Sequence, residues 1–297
     1  WMDGRGFLEL ETPVLVPVAA GAMAHPFVTH HNALDRDLYL RIAHELYLKR
    51  LVVGGLEKVY EIGKVFRNEA VDLEHNPEFT MMESYEAYVD YTDVMLMVEE
   101  LVTDLAREVL GTTVIEFEGQ QIDLTPPWPR LSLRDEAIKQ TGIDFLEHTA
   151  IESLRTEMQA AGIDVTVQSS WGGLVDKLIS SRVEPNLVQP TFLVDYPVAT
   201  SPLAKRKPDD PRVVERFEGF VAGMEICNAF SELNDPVDQL QRLEEQESLR
   251  AQFREEEMDR LDADYVLAIE HGMPPTGGLG IGIDRLVMLF SGHRSIR

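Results

Sequence analysis

The sequence predicts a mixed α+β fold built around a mainly antiparallel sheet. Segments with strand character follow one another or form hairpins, without the regular strand–helix alternation that produces a parallel sheet. The glycine-rich stretch GGLGIGID lies at the far end of the chain and does not match GxGxxG, which further disfavours a Rossmann domain. With 297 residues, 44% of them hydrophobic, the chain can bury a large core as one sizeable domain or two small ones.

The first part of the chain predicts a short strand, a helix, two longer strands and a long helix, in that order. Near the start we expect a helix end and a short strand, before Pro13 and Pro17 stop regular structure. ELYLKRLVVGG, from Glu45, predicts a helix that the two glycines end. VYEIGKVF and EFTMMESYEAY have strand character and are joined by a loop around Arg67–His75. TDVMLMVEELVTDLAREVLG, with Thr92 near its cap, has the periodicity of an amphipathic helix.

The remainder returns to strands after a helical stretch. VIEFEGQQIDL predicts a hairpin, and residues 131–184 contain three short helical patterns, one opened by a capping box at Thr149–Glu152, which we interpret as a helical insert. TFLVDYP, RFEGFVAG and MEICNAFSEL have strand character. Asp235 as cap and Pro236 at the first position open a long helix, whose acidic run QRLEEQESLRAQFREEEMDR predicts a solvated surface. GGLGIGIDRLVMLF is glycine-rich and then helical.

Composition narrows the class of protein. The net charge of −25 argues against a general nucleic-acid coat but leaves room for a local basic site, and Lys205–Lys207 stands out in so acidic a chain. No apolar run approaches the roughly 20 residues of a membrane span, and the first residues do not resemble a signal peptide. Because Cys227 is the single cysteine, an internal disulfide is excluded, and we expect a cytoplasmic protein without a membrane partner.

Two arginines near tight backbone favour a polyphosphate ligand. Arg67 lies in the loop between two predicted strands, and arginine can hold phosphate or carboxylate oxygens with two donors at once. Arg285 starts a predicted helix behind Gly280 and Gly282, where small residues and a helix N-terminus suit an anion. A surface ion pair for Arg67 and a structural turn before Arg285 remain alternatives.

Carboxylates recur at positions that need explanation. Glu218 and Glu225 would lie on adjacent strands if Ala222–Gly223 forms a hairpin turn, and could share Mg²⁺, which takes one or two carboxylates plus substrate phosphates. Two unrelated exposed glutamates remain the alternative. Strand parity places Asn228, Phe230 and Glu232 on one face. Glu225 has the opposite parity. It can share one site with these three residues only if it lies at a bulge or at a strand end.

Glu83 interrupts the apolar row of the strand EFTMMESYEAY. A lone buried carboxylate is costly unless a cation or hydrogen-bond donors meet it, so either this face is solvated or a positive group comes to Glu83. Glu45 at a helix start and Glu232 at a strand end also have ordinary explanations, namely the helix dipole and solvation.

At these residues the sequence closely resembles the class II lysyl-tRNA synthetases over essentially residues 1–297. GFLELETPVL is similar to the first class II motif, FRNEAVDLEHNPEFTMMESYEAY to the second and GGLGIGIDRLVML to the third. HPFVTHHNALDRDLYLRIAHELYLKRLVVGG, SPLAKRK and AFSELNDP resemble the lysine branch. The resemblance implies an antiparallel six- or seven-stranded sheet, normally in a homodimer. It also implies lysyl-adenylate formation from L-lysine and ATP, followed by transfer to the acceptor end of tRNA(Lys).

The resemblance also implies roles for individual residues. Arg67 would hold the α-phosphate and the substrate carboxylate, Arg285 the γ-phosphate, and Phe79 would stack on adenine with His75 and Asn76 nearby. Glu218 and Glu225 would bind Mg²⁺, with Glu218 also counted among the ATP-binding residues. The implied lysine pocket comprises Gly21, Glu45, Glu83, Tyr85, Asn228, Phe230, Glu232 and Gly280.

For Glu83 the implied partner is the lysine substrate, a compact ammonium with three donors, whose hydrogen bonds Tyr85 and Glu232 would complete. A pocket for aspartate would need a cationic anchor there, and one for asparagine has no use for two carboxylates.

Three positions depart from the family pattern. His44 stands where proline is usual, Met224 where arginine is usual, and Gly219 replaces a larger apolar residue. No segment resembles the family's N-terminal anticodon-binding barrel, so we expect a fragment or the ordered part of a larger protein.

Three alternative functions stay open: a paralogue that ligates lysine or β-lysine to elongation factor P, a non-catalytic lysine sensor, and the synthetase domain of a lipid-lysylating enzyme.

Overall fold

The computed structural model describes residues 1–166, 168, 170–253 and 261–297. Its strands are β1 (Leu8–Glu9), β2 (Leu15–Val16), β3 (Val28–His31), β4 (Arg36–Leu40), β5 (Lys58–Phe66), β6 (Glu78–Ala87), β7 (Val114–Phe117), β8 (Gln120–Asp123), β9 (Arg130–Ser132), β10 (Thr191–Val194), β11 (Arg216–Val221), β12 (Met224–Ser231) and β13 (Thr276–Gly282). Its α-helices are α1 (Glu45–Val53), α2 (Tyr91–Leu110), α3 (Leu133–Thr141), α4 (Ile151–Ala160), α5 (Trp171–Arg182), α6 (Pro236–Phe253), α7 (Ala263–Glu270) and α8 (Ile283–Ser291). The chain forms two compact units, residues 1–94 with 229–297, and residues 95–228.

The first unit is organised around the strands β1, β5, β6 and β13, in that order. β5 and β13 both pair with β6 in antiparallel register, and β1 pairs with β5 in parallel. Helix α1 packs on these strands, because Leu48 and Val52, four residues apart, share one helix face and join a buried cluster with Val59, Tyr85 and Ala87. A small antiparallel sheet of β2, β4 and β3 completes this unit.

In the second unit, the β12 residues up to Asn228 are followed in the sheet by β11, β10 and β9. β10 is antiparallel to β11 and parallel to β9. Ala222 and Gly223 both adopt left-handed backbone conformations, with φ of 58° and 74°, as a two-residue hairpin turn between right-twisted strands requires. The core of the second unit contains aromatic contacts of Phe192, which is tilted against Trp128 and meets Phe217 edge to face.

The predicted mixed α+β class with mainly antiparallel sheets is confirmed. The strand–loop–strand of β5 and β6, the β7–β8 hairpin and the three helices α3, α4 and α5 all form. Asp235 caps α6 by accepting a 2.9 Å hydrogen bond from the backbone N–H of Val237, as predicted. Residues 254–260 of the predicted acidic helix lie outside the described part of the chain.

One local prediction differs from the structure. The capping box is wrong, because Ala150 takes the N-cap position of α4 and Thr149 therefore lies one residue too early. At α2 Thr92 lies near the cap, as predicted, and the cap itself is Asp90, whose carboxylate accepts the backbone N–H and hydroxyl of Thr92. Within the described ranges, no helix is both long and apolar enough to cross a membrane.

Candidate active site

Glu83 lies in the centre of β6, with Glu61 of β5 and Gly280 of β13 directly opposite it. Its side chain is buried and accepts 2.9 Å hydrogen bonds from the backbone N–H of His44 and the hydroxyl of Tyr85. Burial alone would raise the pKa of Glu83, but the His44 ring and these two donors outweigh it and hold the pKa below its usual value. Glu83 is therefore an ionised carboxylate inside the first unit.

A second buried charge cluster surrounds Lys49 of α1. The ammonium contacts the carboxylate of Glu45, one helical turn earlier, and that of Glu232, which directly follows β12. Burial would lower the pKa of Lys49, but the attraction of Glu232 and then of Glu45 raises it well above its usual value. Three aromatic ring centroids lie 5.4–6.0 Å from the same ammonium, namely those of Tyr85, Phe230 and Tyr265.

Glu232 is buried, so the ordinary explanation of a solvated glutamate at a strand end does not apply, and Lys49 of the same chain meets its charge. Burial nevertheless raises the pKa of Glu232 well above its usual value, with Glu45 adding to the shift and Lys49 opposing it. Neither carboxylate oxygen makes a well-oriented hydrogen bond to the described residues, so Glu232 retains acceptor capacity beside its ion pair. Glu83, by contrast, has donors but no lysine or arginine partner among the described residues.

Glycines make room for these carboxylates. A Cβ at Gly278 would lie 1.8 Å from Oε1 of Glu232 and 2.7 Å from Cε1 of Tyr85, so no larger residue fits without displacing them. Gly21 has a φ of +94°, and a Cβ there would lie 3.3 Å from that of Glu45. Gly278 was not predicted, unlike Gly21 and Gly280, since the pattern TGGLGIG does not show which glycine faces a crowded side chain.

The β5–β6 loop, the start of β6 and the start of α8 hold the residues predicted to bind ATP, except for Glu218 of β11. The guanidinium of Arg67 lies 5.2 Å from the centroid of the Phe79 ring. Arg285 is the third residue of α8, and its Nη2 lies 3.0 Å from Nε2 of His75. Asn76 donates its side-chain amide to the carbonyl oxygen of Glu78 at 2.9 Å. The structure thus pairs Arg67 with Phe79, and Arg285 with His75.

In the second unit, Glu218 belongs to a buried hydrogen-bond network that was not predicted from the sequence. Arg216, two residues earlier on the same side of β11, binds Oε1 of Glu218 at 2.5 Å and Oδ1 of Asn228 at 3.0 Å. The hydroxyl of Tyr196 donates to Oε2 at 2.6 Å. Burial raises the pKa of Glu218 to about 7, a shift that Arg216 opposes and the like charge of Glu225 increases.

Glu225 is the second residue of β12, next to the hairpin turn, which is the strand-end position its parity required. The described residues contain no group of three or more histidine, cysteine or carboxylate side chains arranged for a metal ion. Glu218, whose pKa is raised by burial and in part by the like charge of Glu225, nevertheless forms with Glu225 an oxygen donor set of the kind that Mg²⁺ takes together with substrate phosphates. Glu218 and Glu225 therefore fit a cation whose remaining ligands come from the substrate.

Comparison with known proteins identifies the family of the chain. A family model described as "tRNA synthetases class II (D, K and N)" matches residues 1–297. Curated relatives named lysine–tRNA ligase include those of Dehalococcoides mccartyi, Roseiflexus castenholzii and Moorella thermoacetica, which are 58%, 59% and 54% identical over 297 residues. Each comparison covers 100% of this chain and 60% of the relative. The chain belongs to the class II tRNA synthetases of the D, K and N family.

Proposed function

We propose that the protein activates L-lysine with ATP, releasing pyrophosphate, and transfers the lysyl group from lysyl-adenylate to tRNA(Lys). The observation that carries this proposal is the buried, ionised Glu83, which has the Tyr85 hydroxyl beside it and no lysine or arginine partner in the described chain. An ammonium at the end of a four-carbon chain matches such a carboxylate in charge and in donors. The names of the curated relatives support the same amino acid.

In this proposal Glu83 and Tyr85 bind the side-chain ammonium of the substrate, and Glu232 adds its unused acceptor capacity. Lys49 offsets the negative charge of Glu45 and Glu232, so the substrate ammonium does not have to neutralise these two carboxylates as well as Glu83. The other residues assigned to lysine are Gly21, Glu45, Asn228, Phe230 and Gly280.

The adenylation step needs positioning and charge neutralisation without a covalent enzyme intermediate. The lysine carboxylate attacks the α-phosphorus of ATP, and pyrophosphate leaves. Arg67 holds the α-phosphate and the attacking carboxylate, while Arg285 holds the γ-phosphate. Phe79 stacks on adenine, next to the Arg67 guanidinium, which lies 5.2 Å from the centroid of its ring. His75 and Asn76 complete the ATP-binding residues.

Glu218 and Glu225 would hold Mg²⁺, with Glu218 also assigned to ATP. When bound, the ion offsets the negative charge of the phosphates. Arg216 and Tyr196 keep the Glu218 carboxylate in place.

The organisation of the protein is part of the same proposal. Residues 1–297 form a class II catalytic domain, within which residues 131–184 are a helical insert. The protein works as a cytoplasmic homodimer.

The test is amino-acid-dependent ATP–pyrophosphate exchange with each of the twenty amino acids, followed by acylation of tRNA(Lys). We expect lysine to give the fastest exchange, and the lysyl group to reach tRNA. Exchange with lysine no faster than with aspartate or asparagine, in a folded and active sample, would contradict the proposed specificity.

A further inference from the structure

His44, the residue before α1, has a fully buried side chain whose ring lies between two carboxylates. Its Nδ1 lies 3.4 Å from Oε1 of Glu83 and its Nε2 lies 3.6 Å from Oε1 of Glu61. Glu61 and Glu83 are direct partners on β5 and β6, so the ring spans a cross-strand carboxylate pair. Neither ring nitrogen makes a well-oriented hydrogen bond to the described residues, so the ring meets the two carboxylates at these longer distances.

The Glu61 side of this arrangement is held firmly. Oε2 of Glu61 accepts the backbone N–H of Thr12 at 2.9 Å and its hydroxyl at 2.6 Å, and Oε1 is bound by Nη1 of Arg41 at 2.6 Å. A Cβ at Gly63 would lie 2.5 Å from Nη2 of Arg41 and 3.0 Å from Nε2 of His44, so the ring has no free space on that side. The ring is thus fixed against a carboxylate whose charge Arg41 already meets.

The Glu83 side is different, since it depends on His44 itself. Oε1 of Glu83 accepts the His44 backbone N–H at 2.9 Å and also faces the ring, whereas Oε2 accepts the Tyr85 hydroxyl at 2.9 Å. His44 makes no side-chain cap bond to α1, because its ring is directed at the carboxylates. The main chain and side chain of His44 therefore hold the same oxygen of Glu83.

We propose that His44 is a positioning residue for amino-acid recognition, which fixes Oε1 of Glu83 so that Oε2 and the Tyr85 hydroxyl face the substrate ammonium. This inference rests on the proposed function, since it assigns Glu83 to the lysine side chain. Without the ring, the buried Glu83 carboxylate loses the polar group beside Oε1 and can rotate about its last torsion. Lysine binding should suffer while ATP binding does not.

Three variants separate this role from a merely structural one. His44→Ala keeps the backbone N–H and removes the ring. His44→Asn restores an amide nitrogen near the position of Nδ1, facing Glu83, whereas His44→Gln places its amide nearer the position of Nε2, facing Glu61. His31→Ala, at the exposed end of β3, is the matched control. The measurements are KM for lysine, KM for ATP and kcat in ATP–pyrophosphate exchange, with thermal unfolding of each variant.

We expect His44→Ala to raise the KM for lysine about tenfold, the scale of one polar contact to a buried charged group, and to change the KM for ATP by less than about twofold. His44→Asn should recover most of the lysine KM, and His44→Gln should not. An unchanged lysine KM in His44→Ala, or equal behaviour of the asparagine and glutamine variants, would overturn the inference. If His44→Ala does not fold, the comparison of asparagine with glutamine still decides. A parent protein that does not activate lysine would refute the proposed function, a distinct outcome.

Discussion

The ammonium of Lys49 binds the carboxylate of Glu232, and both side chains are fully buried. Such a pair contributes little net stability, because desolvation of the two charges offsets much of their attraction, but removing one partner is costly. Glu45 is a second partner of the same ammonium, so the charge of Lys49 serves Glu45 and Glu232. Glu83 is left with the His44 and Tyr85 donors, which makes it the carboxylate best suited to an incoming ammonium.

Replacing Lys49 by methionine should lower the free energy of unfolding by about 3–5 kcal/mol, because two buried carboxylates lose their cation. Urea denaturation measures this difference. Lys64→Met is the control, since the Lys64 ammonium lies 4.0 Å from Glu78 and both side chains are about half exposed, so little change is expected. Adding Glu232→Gln to Lys49→Met should restore part of the loss. Equal effects of the Lys49 and Lys64 changes would contradict the buried pair.

Gly278→Ala should raise the KM for lysine by about tenfold or more, because the new methyl group must displace the Glu232 carboxylate and the Tyr85 ring from their positions. In Gly282→Ala the new Cβ would find its nearest neighbour 3.7 Å away, an ordinary contact, so the lysine KM should hardly change. Steady-state exchange kinetics compare the two variants. A normal lysine KM in a folded Gly278→Ala protein would show that Glu232 does not contribute to binding.

Alanine substitutions of Arg67 and Arg285 should change different kinetic constants. Arg285→Ala should mainly raise the KM for ATP, because the γ-phosphate leaves with pyrophosphate. Arg67→Ala should mainly lower kcat, by about a hundredfold, because charge develops at the α-phosphate in the transition state. Single-turnover adenylate formation separates the two effects. Small and equal effects would favour the alternative that both arginines serve surface contacts such as that of Arg285 with His75.

Glu225→Gln should raise the Mg²⁺ concentration for half-maximal exchange by about tenfold or more, because a neutral amide replaces one anionic ligand. Glu218 is not chosen for this test, because its replacement would also break the contacts with Arg216 and Tyr196. Glu116→Gln, at an exposed position of β7, is the matched control. An unchanged Mg²⁺ requirement in Glu225→Gln would remove Glu225 from the proposed metal ligands.

Local patterns predicted most of the fold, because β5, β6, β12 and α2 have clear periodicity and their turns carry the expected glycines. The small sheet of β2, β3 and β4 was missed, since its strands are short and lie in a segment broken by prolines.

In the candidate site, too, local patterns predicted some residues and missed others. Glu83 could be singled out because a carboxylate in an apolar strand face needs a partner. Lys49 could not, because in the helix ELYLKRLVV it looks like a surface lysine, and its contact with Glu232 joins residues far apart in sequence. The position of the His44 ring between the carboxylates of Glu61 and Glu83 likewise depends on packing that no local pattern encodes.

The central claim is that Glu83 binds the side-chain ammonium of lysine. It is tested most directly by measuring the binding of lysine and of norleucine, which has the same carbon chain without the ammonium, to the parent protein and to Glu83→Gln by calorimetry. We expect the parent to prefer lysine strongly. Glu83→Gln should weaken lysine binding by about 2–4 kcal/mol, the scale for one partner of a buried ion pair, and leave norleucine binding nearly unchanged. An undiminished preference for lysine in a folded Glu83→Gln protein would contradict the account.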